Sequence, residues 1–263
     1  MPPITPEQMG EIAAGLEKLT HDFEDIVLKQ LAESIAKVGG ITDTTEYKLL
    51  RLKEMGYTTE FLQSELAKYT KKSEIEIDAI FFDVGQVSDE FYKAVYAAKG
   101  VPFVPFISNP RTKQAFKAAA KQTKEEFYNF TQSMGFAIKV DGKLVFKPTA
   151  KAYQDVLDVA HMQIINGITD YDTAIRNAVK QLTESGIKYV DYASEWVNHA
   201  DVAVRRATLT GVGQVTGRIT EQVLEDIGGD IVEVTAHAGA RNTGTGVANH
   251  AEWQGKRYRY NKS

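Results

Sequence analysis

Residues 236–256 read AHAGARNTGTGVANHAEWQGK, and the rest of the chain is organised around this stretch. It gathers two of the five histidines, an arginine, one of the two tryptophans and four glycines, with neither a helical nor a strand period. Glycine has the most backbone entropy to lose on ordering, so such a segment needs neighbours to hold it. The chain supplies them. A helix predicted over 199–227 and a short strand over 230–236, DIVEVTA, lead directly into it. Val212, Val215, Ile219, Val223 and Ile227 form the apolar stripe of that helix. Arg206, Thr210, Gln214 and Arg218 recur at i, i+4, i+8 and i+12 along another face. Gly211, Gly213 and Gly217 each cost about 1 kcal/mol in a helix relative to alanine. The expected compensation is close approach by another backbone.

Composition is that of an ordinary globular protein, with 43% hydrophobic and 25% charged residues. A net charge of −4 argues against a free-standing nucleic-acid binder, without excluding a local basic patch. No cysteine is present, so this chain has no disulfide, thiol nucleophile or cysteine-ligated zinc. The first residues, MPPITPEQMGEIAAGLEKL, lack the basic and apolar regions of a signal peptide. No apolar run approaches the roughly 18–20 residues of a membrane span. The expected compartment is the cytoplasm, or a particle assembled there.

The N-terminal half reads as helical. A helix over 6–38 has Thr5 as cap, Pro6 at its first position and Glu7 near the positive end of the dipole. Its stripe is Ile12, Leu16, Leu19, Phe23, Ile26 and Gln30. Three more helices are predicted over 42–53, 58–71 and 73–99. Gly56 separates the first two, Thr58 or Thr59 caps the second, and Ser73 with Glu76 forms a capping box. Gly85 is a candidate break in the third. Three prolines in VPFVPFISNP, 101–110, exclude a helix interior and imply a linker or extended arm. A further helix runs to about Ser133, ended by Gly135.

AIKVDGKLVF, 137–146, is a β-hairpin signal. Asp141-Gly142 suits a two-residue type I′ turn, pairing Val140 with Lys143 and Ile138 with Val145. A lone hairpin is marginal in water, so it must pack on something. Helices over 149–166 and 171–185 follow, ended by Gly167 and Gly186. GIKYVDYASEW then forms a short extended piece. The fold class is α+β and predominantly α-helical. Its N-terminal half is helical, and its C-terminal helices carry a small β-sheet. The expected domains are 1–148, an attachment region with the hairpin near its end, and 149–263.

His237, His250 and Glu252 are residue types that ligate metals, but neither an H-E-x-x-H pair nor a cysteine framework is present. The plainer role of the histidines is to hydrogen-bond and pin the loop. Arg241 suits a phosphate or a pairing with Glu252, Glu233 or Asp230. Arg205, Arg206, Arg218, Lys256, Arg257 and Arg259 suit either a positive surface for phosphates or an acidic partner, or a salt-bridge network inside the domain. Trp253 is expected to anchor the loop. GARNTGTG lacks the G-K-[ST] ending of a phosphate loop, and no serine elbow occurs. Carboxylate pairs such as Glu125-Glu126 are most simply solvated faces. No catalytic set and no cofactor is called for.

AVRRATLTGVGQVTGRI at 203–219, VEVTAHAGAR at 232–241 and HAEWQGK at 250–256 together resemble the phage minor capsid protein 2 family. AVKQLTESGIKYVDYAS at 178–194 matches less closely. The resemblance rests on the order and spacing of Arg205-Arg206, Gln214, His237, Ala240-Arg241, His250, Trp253, Gln254 and Gly255. It implies a virion protein of the phage head near the portal vertex, assembled in host cytoplasm. The implied partners are the portal protein, the major capsid or scaffolding protein, and DNA. The resemblance implies no enzymatic mechanism. Arg206, Gln214, Arg218, His237, Arg241, His250, Trp253, Gln254 and Gly255 become the functional motif. The competing expectation is a metal-dependent or nucleic-acid-binding module built on His237, His250 and the arginines. Two departures stand out: NTGTGVAN between Arg241 and His250, where a short proline-containing link is common, and Glu195-Trp196 after Ser194, where glycine and a basic residue are usual. Family members generally continue past WQGK, so a truncated or short member is expected.

Overall fold

The N-terminal helix opens on a reciprocal pair of hydrogen bonds. The Gln8 N–H donates to Thr5 Oγ1 at 3.2 Å, and the Thr5 N–H donates to Gln8 Oε1 at 2.9 Å. With Pro6 at the first helical position this is a capping box, built on Gln8 as well as Thr5. The computed structural model describes residues 4–39, 44–140, 143–191, 196–234, 242 and 249–260. Helix α1 spans Pro6–Gly39, α2 Thr44–Lys99 and α3 Pro110–Gln132. Strands β1, Met134–Val140, and β2, Lys143–Pro148, follow. Then come α4, Thr149–Ile165, and α5, Tyr171–Ser185. Strands β3, Lys188–Asp191, and β4, Trp196–His199, lead into α6, Ala200–Ile227. Strands β5, Ile231–Glu233, and β6, Arg257–Arg259, flank a short 3-10 turn at His250–Glu252. The chain is predominantly helical α+β, as its sequence pattern implies.

Two compact units share these elements. The first comprises Met1–Ala14, Ile77–Thr123 and Thr208–Ser263, the second Gly15–Glu76 and Lys124–Ala207. Helices α1, α2, α3 and α6 contribute residues to both. The 148/149 junction expected from sequence falls between β2 and α4, within the second unit.

The three helices predicted between 42 and 99 are one helix of 56 residues. The polar residues taken as caps turn back onto it instead. Thr59 Oγ1 donates to the Met55 carbonyl at 2.7 Å, and Ser73 Oγ donates to the Tyr69 carbonyl at 2.9 Å, each four residues behind. Back-bonding of this kind lets Ser and Thr sit inside a helix. Thr58 is buried, with its hydroxyl 2.8 Å from that of Ser34 on α1. Gly85 does not break the helix; a Cβ there would meet Ile107 at 2.9 Å, so packing selects the glycine. Gly135 does not end α3, which stops at Gln132. It lies in β1, where a Cβ would collide with the Lys147 carbonyl oxygen. On α1 the buried stripe is Leu16, Thr20, Phe23, Val27, Leu31 and Ile35, while Ile26 is exposed.

In the second unit β1 and β2 pair antiparallel with Val140 opposite Lys143 and Ile138 opposite Val145, the register a two-residue turn dictates. Asp141 and Gly142 lie outside the described residues. GIKYVDYASEW supplies the partners the hairpin needs: the antiparallel order is β2-β1-β3-β4. Helix α4 ends in a Schellman motif. Ile168 N–H donates to the Gln163 carbonyl at 2.9 Å, and Gly167, at φ +65°, donates to Ile164 at 3.0 Å. Asp170 caps α5 through the Thr173 N–H at 2.9 Å. In the first unit, residues 101–109 are extended and turned but are no free arm. Phe106 is fully buried, and its ring lies edge-on to Tyr92, Tyr96 and Phe103.

The three glycines of α6 separate by environment. A Cβ on Gly211 would meet Thr123 Oγ1 at 2.5 Å and the buried Phe81 ring at 2.9 Å, so side chains rather than a backbone make the close approach. No described atom lies within 4 Å of a Cβ built on Gly213 or Gly217. Gly213→Ala and Gly217→Ala are therefore expected to raise stability, each by up to about 1 kcal/mol. Gly211→Ala is expected to lower it by about 1–3 kcal/mol through overpacking. Urea unfolding of the three variants measures both signs.

Candidate functional site: helix α6 and the C-terminal strand pair

Helix α6 ends because Gly228 adopts φ +66°. Gly229 N–H then donates to the Leu224 carbonyl at 2.8 Å, and Gly228 to Glu225 at 3.3 Å, which satisfies the last carbonyls. The chain enters β5 and, after the intervening stretch, pairs with β6: Ile231 opposite Arg259, Val232 opposite Tyr258, Glu233 opposite Arg257. Three bonds extend this ladder. Val234 N–H donates to Lys256 O at 3.0 Å, Gly255 N–H to Val234 O at 2.7 Å, and Tyr260 N–H to Asp230 O at 2.7 Å. Gly255 makes its bond at φ +68°, a backbone region that disfavours side chains, which accounts for the glycine in WQGK.

The motif side chains near this ladder are engaged in ties. Trp253, 39% exposed, lies with its ring centroid 5.3 Å from that of Tyr258. Arg257 Nε donates to Glu233 at 2.9 Å, and Arg259 Nε sits 3.2 Å from Asp230. Arg218 donates to Glu221 Oε2 at 2.7 Å, while the Tyr260 hydroxyl donates to the other oxygen of the same carboxylate. That bond to Glu221 pushes the Tyr260 phenol upward from its ordinary value. The β6 end is thereby tied to α6 through one carboxylate. Exposed pairs of this kind are each worth little, and salt screens them.

Beneath them, Asp226 joins three elements. Its Oδ2 accepts the Tyr96 hydroxyl at 2.7 Å. Its Oδ1 accepts Gln222 Nε2 at 2.8 Å and lies 3.3 Å from Arg111 Nη1. Burial, then Asp226, raises the Tyr96 phenol well above its usual range.

Of the other sequence candidates, Gln214 is exposed on the part of α6 in the first unit, and Arg206 is exposed on the part in the second. Arg205, next to it, donates to Glu17 at 2.6 Å. His250 and Glu252 are exposed on the 3-10 turn, where Trp253 N–H donates to the His250 carbonyl at 3.2 Å. Gln254 is half-buried. His237 and Arg241 lie outside the described residues. Among the described residues, no three His, Asp or Glu side chains gather as metal ligands.

A second polar cluster, invisible to motif reading, lies in the second unit between α2 and α4. Arg51 and the Tyr47 hydroxyl both donate to Asp158, the latter at 3.2 Å. The Tyr47 ring stacks on His161, with centroids 3.5 Å apart and planes 5° from parallel. His161 is 6% exposed, and among the described residues neither ring nitrogen has a hydrogen-bond partner. Close by, the buried Tyr153 phenol is pushed up to about 12, chiefly by burial. In sequence, Tyr47/Arg51 and Asp158/His161 are ordinary spacings on two helices about which nothing local says they meet.

Tail residues bound to their own chain, on a helical framework, are the arrangement of a structural component. The chain belongs to the phage minor capsid protein 2 family, whose model matches residues 4–263, nearly the whole chain. It is a structural protein of a phage capsid, and it works among other proteins of the virion. No curated protein and no solved structure matches it. No helix among the described residues is long and apolar enough to cross a membrane.

His161 sets a pH dependence. Burial lowers its pKa in the folded state below the ordinary 6.5, outweighing the opposite pull of Asp158. The unfolded chain therefore takes up the proton first as pH falls. Stability is full above about 6.5 and is lost progressively below it, down to the folded-state value. His161→Phe keeps the ring stack and removes the titration. Unfolding midpoints measured between about pH 7 and pH 5 are expected to fall more steeply for the parent than for this variant.

Proposed function

We propose that this chain is a portal-associated minor component of the phage head that acts in head assembly, with α6 and the β5–β6 pair as its contact element. The observation that carries the reading is the ring of Trp253, exposed beside Tyr258 on a ladder fixed by Gly255 and tied to α6 by Tyr260 and Glu221. Tryptophan and tyrosine held rigid at a surface are the residues that dominate binding energy at protein interfaces. The family supports partners within the virion, and portal association is the finer part of the proposal.

The competing module, a metal-dependent or nucleic-acid site using His237, His250 and the arginines, is less well supported. Arg205, Arg218, Arg257 and Arg259 each face a carboxylate within 4 Å. The plainer salt-bridge account therefore fits these four residues.

Trp253→Ala is the test. The variant is expected to fold, as circular dichroism reports, yet to lose retention by immobilised portal protein at least ten-fold, as removal of an interface anchor of about 2 kcal/mol does. Particles from phage carrying the variant are expected to lack the protein. Retention and incorporation equal to the parent would defeat the proposal.

A further inference from the structure

A basic run lies away from the motif residues. Residues 91–124 contain seven lysines and arginines and no acidic residue, in a chain of net charge −4, so the remainder is strongly acidic. Six of the seven, all but Lys124, belong to the first unit. On α3, Lys113, Lys117 and Lys121 follow at i, i+4 and i+8, which sets them on one face about 6 Å apart along the axis. All three are exposed, while Thr112, Phe116, Ala119 and Thr123 are buried on the other side.

This face is rigid. Phe116 lies beneath it, 3.5 Å from a Cβ built on Gly85, and the Thr112 hydroxyl donates to the Phe106 carbonyl. It also runs against the electrostatics of its own helix. The first turn of α3 has no acidic residue, yet Arg111 and Lys113 stand at the positive end of the helix dipole. Asp226 sits 3.3 Å from Arg111. No described carboxylate lies within 4 Å of Lys113 or Lys117. Arg205 and Arg218 of α6 and Arg257 and Arg259 of β6, by contrast, are in ion pairs.

We propose that the lysine face of α3 binds the phosphate backbone of duplex nucleic acid. A row of like charges on a rigid helix suits a partner whose opposite charge is dense and regular, and duplex DNA carries one negative charge per about 1.7 Å of axis. Lysines are compact point charges without the planar fork that reads base edges, so the contact is independent of sequence. The exposed residues beside them, Gln114, Ala118 and Gln122, carry no aromatic ring, and the exposed Tyr128 lies two turns beyond Lys121. The row itself therefore has no platform for unstacked bases, which favours a duplex over a single strand. This goes beyond portal association and does not depend on it.

The full chain is titrated against a fluorescent DNA duplex of about 20 base pairs, by anisotropy, across about 50–200 mM salt. Binding is expected to weaken with salt and to be indifferent to sequence. Lys113→Gln/Lys117→Gln is expected to lower the slope of log affinity against log salt by about 2, and to weaken binding on the order of ten-fold at intermediate salt. Lys48→Gln/Lys53→Gln removes the same charge from exposed positions on α2 in the other unit and is expected to change neither. Absence of binding at the lowest salt overturns the proposal. So does an equal loss in both variants, or displacement of the duplex by polyglutamate at equal charge concentration, which assigns the face to an acidic protein instead. The portal assay turns on Trp253, so failure of one leaves the other standing.

Discussion

The first unit depends on one carboxylate. Asp226, in the last turns of α6, holds Tyr96 from the end of α2, Arg111 from the start of α3 and Gln222 from its own helix. A carboxylate partly removed from water is tolerable only if its lone pairs are filled, and here phenol, guanidinium and amide fill them. These ties fix where α6 ends relative to the aromatic packing of Phe103 and Phe106. They therefore fix where the chain leaves for β5. Breaking one of them leaves the others pointing at an under-satisfied charge, so the group acts as a unit.

The second constraint is the unbroken length of α2. A chain that stays helical for 56 residues past two glycines and several Ser and Thr must recover their propensity cost elsewhere. It does so by packing. Thr58 meets Ser34, Tyr69 stacks on Phe23 and meets the Thr20 hydroxyl, and Gly85 leaves room for Ile107. Small polar residues on α1 and α2 let these helices approach closely, the hydroxyls of Thr20, Ser34, Thr58 and Ser73 being satisfied by a neighbour or by a carbonyl four residues behind. The mixed apolar and small-polar stripe is the outcome.

The functional picture is one of charge placed in two different ways. In the tail and on α6, Arg218, Arg257 and Arg259 are matched to Glu221, Glu233 and Asp230. On α3, Lys113 and Lys117 have no described carboxylate within 4 Å and stand exposed on a face packed from below by Phe116.

Much was legible in the residues themselves. The hairpin register followed from Asp-Gly between alternating strands, because a two-residue turn admits only one pairing. The ends of α4 and α5 followed from Gly167 and Gly186, because a positive φ there excludes most side chains. Family membership followed from the spacing of residues from Arg205 to Gly255. Tertiary structure alone decided whether Gly56, Thr58, Ser73 and Gly85 end helices or lie within one, since the same residue serves as a cap or as a packing surface depending on what stands opposite. It also decided that Asp226 gathers Tyr96 and Arg111, and that His161 meets Tyr47. Local propensity acts over a few residues, whereas those contacts join positions more than a hundred residues apart and are stabilised by burial, to which sequence spacing carries no guide.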